Sequence, residues 1–157
     1  MPVGDTLKIR GDALRVIEKH AQQFPDEEVC GLLAGKGGVV ELALRTLNAA
    51  ENPETEYEID PKELFAAMRA IRASGAALMG IYHSHPNGGG EPSARDIAEA
   101  YYPDLAYVIA TVNEARGGPA KVRAFSIRDG AAREFGIEIA GGAPSGAAGP
   151  GSSKQRR

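Results

Sequence analysis

Tryptophan is absent from the 157-residue chain, and aromatic residues make up only 6% of it. Base-stacking platforms for nucleic acid are therefore not advertised. Positive charge is not in excess: 18 Lys and Arg against 21 Asp and Glu leave a net charge of -3. No nucleic-acid partner is expected on that balance. A single cysteine, Cys30, excludes an intrachain disulfide and suits a reducing, cytoplasmic setting. No run of about 18 apolar residues occurs, so no spanning helix and no membrane partner are expected. Residues 1–12 also lack the apolar stretch of a secretion signal.

What is present is an ordinary globular balance, 43% apolar and 25% charged. It is enough to bury one core without disulfide staples. Glycine is plentiful, 20 residues in all, with five in the last 17. Residues 1–140 are therefore read as a single domain. Residues 141–157, rich in Gly, Ala, Pro and Ser with a basic end at Lys154, Arg156 and Arg157, are read as a disordered tail. Such a segment cannot bury enough apolar surface to offset its ordering entropy.

Periodicity divides the domain. Leu14, Ile17, Ala21 and Phe24 recur at spacings of three and four, which predicts a helix ended by Pro25. Two apolar runs, residues 29–34 and 39–47, flank Gly35, Gly37 and Gly38 and read as a hairpin. Asp60, Pro61 and Glu63 form a strong helix start, in which Glu63 is expected to reach back to the cap. That helix carries Leu64, Met68 and Ile71 on one face and ends near Gly75. A buried strand is predicted from Ala77 into the His83-Ser84-His85-Pro86 run, followed by a glycine loop and a short helix from Ser93. Three further strands follow, the last two joined at Asp129-Gly130. The order α-β-β-α-β-α-β-β-β predicts an α/β (α+β) domain with a mixed, largely antiparallel curved sheet packed by helices.

The chemistry gathers at the end of the strand predicted from Ala77. Residues i and i+2 of a strand point to one side, so His83 and His85 can aim two imidazoles at one point. Asp96 follows His85 by eleven residues, in the first turn of the short helix. The intervening glycine loop lets that helix fold back on the strand end. Two histidines and one carboxylate, with room for water, describe a catalytic zinc site; a structural one would want four protein ligands, several of them thiolates. Ser93 to Asp96 is also a capping box. The two readings do not compete, because the cap helps orient Asp96. From this composition the spacing H-x-H-x7-S-x-x-D arises by chance on the order of once in ten thousand such sequences. A zinc hydrolase also needs a base. Glu28, just before a buried run, is the candidate, although strand-end carboxylates are commonly just solvated.

These residues carry a resemblance. Glu28-Val29-Cys30-Gly31-Leu32-Leu33, then His83-Ser84-His85-Pro86 and Ser93-Ala94-Arg95-Asp96, resemble the JAMM (MPN-plus) metalloproteases. The family pattern, a Glu before a small-residue strand and then H-[S/T]-H-P-x6-S-x-x-D, is met without a gap. Asn48-Ala49-Ala50, residues 57–61 and Gly80-Ile81-Tyr82 extend it over roughly residues 7–139. The chain is most similar to the short bacterial members. The resemblance implies a cytidine-deaminase-like fold and one zinc ion per chain, held by His83, His85 and Asp96 with water in the fourth position. It implies that Glu28 takes the proton of that water and passes it to the leaving amine. Ser93 is implied to stabilise the oxyanion. Ser84 is read as structural because strand alternation turns it away from the metal. Cys30 is read as a packed residue, and His20, mid-helix and outside the pattern, is left without a role.

The implied substrate is the C-terminal Gly-Gly tail of a ubiquitin-like or sulfur-carrier protein, from which cysteine or another amino acid is released. Deubiquitinases of the eukaryotic type carry an insertion after the zinc ligands. Only eight residues separate Asp96 from Leu105 here, too few for one. An extended tail is expected to pair with an exposed strand edge. A non-catalytic MPN-type scaffold and a zinc hydrolase of small-molecule amides are the competing readings.

Overall fold

The computed structural model describes residues 6–112 and 119–140. Seven strands and three helices follow in the order β1 (Thr6–Arg10), α1 (Gly11–Gln23), β2 (Cys30–Lys36), β3 (Val39–Thr46), α2 (Pro61–Ala73), β4 (Ala77–His85), α3 (Ala94–Ala98), β5 (Ala106–Thr111), β6 (Lys121–Arg128) and β7 (Ala131–Ala140). Every predicted helix is present, and so are the six predicted strands. Gly117, Gly118 and the segment read as a tail lie outside the described residues.

The unpredicted element is β1. Its five residues bury only Leu7 and Ile9, a pattern too short to stand out from the polar residues around it. Yet β1 pairs in parallel with both β3 and β7, and so closes a barrel in the order β1-β3-β2-β4-β5-β6-β7. The expected curvature thus runs to closure. Pairing is mixed: β4–β5 is also parallel, and β2–β3, β2–β4, β5–β6 and β6–β7 are antiparallel. Asp129 and Gly130 both adopt positive φ, as the tight β6–β7 turn requires.

Strand alternation sorts side chains into two environments. Leu33 of β2, Tyr82 of β4 and Val108 and Ala110 of β5 join Leu7, Ile9 and the α1 residues Ala13, Ile17 and Ala21 in the main core. Leu32 and Ala34 face the other way, against Ile71 of α2. Tyr107 and Ile109 pack with Phe125 and Ile127, alongside Ile97 of α3. The β2–β4 contact is close enough to need glycine: a Cβ on Gly31 would lie 2.3 Å from the Leu44 carbonyl and from the Tyr82 ring.

Two helical faces differ from the expectation. On α1 the buried set is Ala13, Ile17, His20 and Ala21, and Phe24 is half exposed. The face is rotated to include His20, whose Nδ1 lies 2.7 Å from the Tyr82 hydroxyl. On α2, Asp60 caps the Glu63 amide as expected. The Glu63 carboxylate does not return to the cap; it accepts from the Leu47 amide at 2.8 Å and ties α2 to the end of β3.

Candidate metal centre

The site forms where β4 ends. His83 and His85 alternate with Tyr82 and Ser84, so both imidazoles leave the sheet on the side opposite the main core. His83 is in register with Cys30 on one flank and Ile109 on the other. α3 then turns back towards this strand end. Its start is the predicted capping box: Ser93 Oγ accepts from the Asp96 amide at 3.0 Å, and Asp96 Oδ2 accepts from the Ser93 amide at 2.9 Å. The reciprocal cap aims Asp96 at the histidines.

Three atoms converge as a result. His83 Nε2 and His85 Nε2 lie 3.0 Å apart, and Asp96 Oδ2 lies 3.1 Å from the first and 3.0 Å from the second. All three side chains are largely buried. His85 Nδ1 lies 2.8 Å from the Gly89 carbonyl. A carbonyl only accepts, so Nδ1 carries the proton and Nε2 presents its lone pair. One proton on His83 Nε2 can bridge part of the triangle, whereas a divalent cation satisfies every lone pair at once. Two imidazole nitrogens and a carboxylate oxygen suit zinc with a position left open. These three are a group of His, Cys, Asp or Glu that could hold a metal ion among the described residues.

Electrostatics supports the same grouping. Burial tends to raise the Asp96 carboxyl, but its bonds to His83 and His85 outweigh this and hold it well below the usual carboxylate range. Burial pushes the His83 imidazole down. His85 is also penalised by burial, yet Asp96 and the Gly89 carbonyl leave it raised.

Glu28 precedes β2 and is buried. Its backbone is held by its own amide donating to the Pro53 carbonyl at 2.7 Å. Ser84, on the other side of β4, accepts from the Val29 amide at 2.8 Å and donates to the Glu27 carbonyl at 3.3 Å, which pins the segment carrying Glu28. That is a structural task, as read. Glu28 Oε1 is buried and has no hydrogen-bond partner among the described residues. Burial, aided by the charges of Asp96 and Glu56 and opposed by those of His85 and Arg95, pushes its carboxyl up to about 7. Cys30 packs against Thr46, with Sγ 3.4 Å from Oγ1, and burial pushes its thiol up to about 11. It is not drawn into the group of three.

Other neighbours went unread in the sequence. Tyr57 stacks on His83, with ring centroids 4.4 Å apart and planes 20° apart. Arg95 of α3 reaches Glu56 at 2.8 Å, tying α3 to the loop that carries Tyr57. Neither contact has a sequence period, because the loop between β3 and α2 is irregular. His20 did carry a signal, since it falls between Ile17 and Ala21 on the buried face of α1.

A family model described as prokaryotic homologs of the JAB domain matches residues 11–128. The chain belongs to that family. The resemblance drawn from the sequence therefore holds at the level of the family, and the fold is shared with a JAB1/MPN domain protein from Archaeoglobus fulgidus at 18% identity and a TM-score of 0.55. This JAB-domain chain is 37% identical over 111 residues to the desampylase of Haloferax volcanii, covering 67% of this chain and 80% of that protein. It is 31% identical over 135 residues to the CysO-cysteine peptidase of Mycobacterium tuberculosis, covering 85% and 90%. A solution structure of protein DSY2949 from Desulfitobacterium hafniense superposes with a TM-score of 0.72 at 27% identity, covering 84% of this chain and 91% of that one. Among the described residues no helix is long and apolar enough to cross a membrane.

Proposed function

We propose that this chain is a zinc-dependent peptidase. It hydrolyses the amide bond at the C-terminal Gly-Gly tail of a ubiquitin-like or sulfur-carrier protein, in a reducing cytoplasm. The observation that carries the reading is the convergence of His83, His85 and Asp96, with the buried Glu28 carboxylate, its Oε1 unpartnered among the described residues, in electrostatic contact with His85 and Asp96. Relatives named as a desampylase and a CysO-cysteine peptidase support the substrate class.

His83 Nε2, His85 Nε2 and Asp96 Oδ2 would hold the ion. Zinc in such a site polarises a carbonyl and lowers the pKa of water toward neutrality. The chain's own groups supply the rest. Glu28 Oε1 makes no competing hydrogen bond, so it is free to take a proton from the attacking water and return it to the leaving amine. Burial raises its carboxyl to about 7 in the absence of the ion, and a cation nearby would draw that value down and keep the carboxylate ready to accept a proton. Ser93 Oγ already accepts from the Asp96 amide. That bond leaves the hydroxyl proton unused, and the proton is donated to the oxygen on which charge develops. Between Gly80 and His83, β4 is paired on both flanks, by β2 and β5. A tail therefore does not add to the strand that bears the histidines, and reaches the site from beyond its end.

Mass spectrometry of a carrier–cysteine adduct tests the reading. With zinc, the adduct is expected to lose the mass of a cysteine residue, cysteine less the water taken up in hydrolysis, and chelator abolishes the loss. Glu28→Gln keeps zinc but slows release by about a hundredfold or more. An intact adduct beside zinc-loaded protein would mark a binding module instead. Cleavage of small amides with no action on the carrier would mark a small-molecule hydrolase.

A further inference from the structure

The segment between β3 and α2 contains little regular structure, yet two of its residues reach the site. Its first turn is organised by Asn48. Nδ2 donates to the Glu28 carbonyl and to the Glu56 carbonyl, each at 2.9 Å. Oδ1 accepts from the Ala50 amide at 2.9 Å and from the Glu58 amide at 3.0 Å. The carboxamide thus uses both donors and both acceptor lone pairs. The backbone reinforces the turn: Asn48 bridges Ile59, and the Ala49 amide donates to the Glu58 carbonyl at 2.7 Å.

Those partners have a common feature. One is the backbone of Glu28. Two others, Glu56 and Glu58, flank Tyr57, whose ring lies on His83. A single side chain therefore links the segment bearing the buried carboxylate to the aromatic surface that fixes one imidazole. The link runs through main-chain carbonyls and amides, which move only with the whole segment.

We propose that Asn48 is a positioning residue that sets Glu28 and, through Tyr57, the His83 ring in their working geometry. The proposal rests on reading the site as a hydrolytic zinc centre. A residue that only ties a loop lowers stability when altered. A positioning residue also changes how tightly the metal is held and how fast the bound substrate reacts.

Asn48→Asp keeps the shape but replaces two donors by an acceptor, set against the Glu28 and Glu56 carbonyls. Asn48→Ser is the milder variant, should the first fail to fold. Tyr82→Phe loses a buried hydrogen bond to His20 on the opposite side of β4 and serves as the control for stability. Zinc affinity is read by competition with a chromogenic chelator, and kcat, KM and Tm are read on the same samples. Asn48→Asp or Asn48→Ser is expected to weaken zinc binding about tenfold and to lower kcat about 10–100-fold, in the range known for groups that orient metal ligands, with KM changed less than about threefold. Tyr57→Leu reproduces the zinc effect, and combining it with the Asn48 variant adds less than the product of the two. Tyr82→Phe lowers Tm and leaves zinc affinity and kcat within about threefold. The proposal is overturned if the Asn48 variants lose only Tm, or if Tyr82→Phe loses as much zinc affinity and kcat as they do. A parent protein that neither binds zinc nor cleaves the carrier overturns the functional reading itself, and this proposal with it. An active parent with indifferent Asn48 variants overturns only the positioning role.

Discussion

Glu28 shows how burial makes a common side chain useful. An exposed glutamate is fully ionised at neutral pH and a poor partner for a proton. Excluded from water, its carboxyl rises to about 7, within reach of the pH at which a hydrolase works. The same shift has a consequence for stability in the chelated protein. The folded value lies above the ordinary one of 4.5, so protonated Glu28 supports folding fully below about 4.5, and that support is lost as pH rises through about 7. Urea denaturation of chelated parent and Glu28→Gln should therefore show similar pH-dependence at the acid end. The variant should become relatively more stable as pH rises through about 7, because it has no charge to bury. Two parallel curves would remove the basis for Glu28 as a poised base. His20 is the opposite case: burial, with help from Arg45, holds its imidazole down at about 4, neutral against Tyr82. It is a core histidine with a hydrogen-bond partner.

At the scale of the element, α3 matters more than its five residues suggest. So short a helix has almost no stability of its own, and its first turn is set by the reciprocal bonds of Ser93 and Asp96. The cap and the proposed metal ligand are thus the same carboxylate. Ser93→Ala should cost about 1 kcal/mol of stability for the lost cap. It should also lower kcat about a hundredfold for the lost donor. Ser93→Thr keeps the hydroxyl and should recover most of both. Full activity in Ser93→Ala, with the lower Tm, would leave Ser93 as a cap alone. The helices and most strands were legible because their signals are local: apolar spacing, caps, Pro25, Asp129-Gly130. The loop from β3 to α2 was not. Asn48, Tyr57 and Glu56 have no period, and their partners are chosen by where Glu28, His83 and Arg95 arrive in space.

At the scale of the molecule, the barrel is closed by its shortest strand. Leu7 and Ile9 are each 1% exposed, inside the same core as α1 and β4. Closure ties β3 to β7 through β1 and leaves β4 embedded between partners, so its far end is a rigid place for two histidines. Ile9→Ala should cost about 2–5 kcal/mol, the range for emptying a buried branched position. Ile139→Ala, at a residue 60% exposed, should cost below about 1 kcal/mol. Urea midpoints at unchanged m-value check both. A cost at Ile9 no larger than at Ile139 would mean that β1 is dispensable for the barrel.

The sequence by itself determined the element types apart from β1, the grouping of His83, His85 and Asp96, and the family. Those depend on spacing along the chain: alternation puts the two imidazoles on one side, and a capping box sets the aspartate. Only the tertiary structure decided that the sheet closes, that Glu28 is buried without a partner, and that Tyr57 covers His83. Each of those depends on contacts between segments far apart in the chain, and burial is a property of the assembled core that no single segment carries.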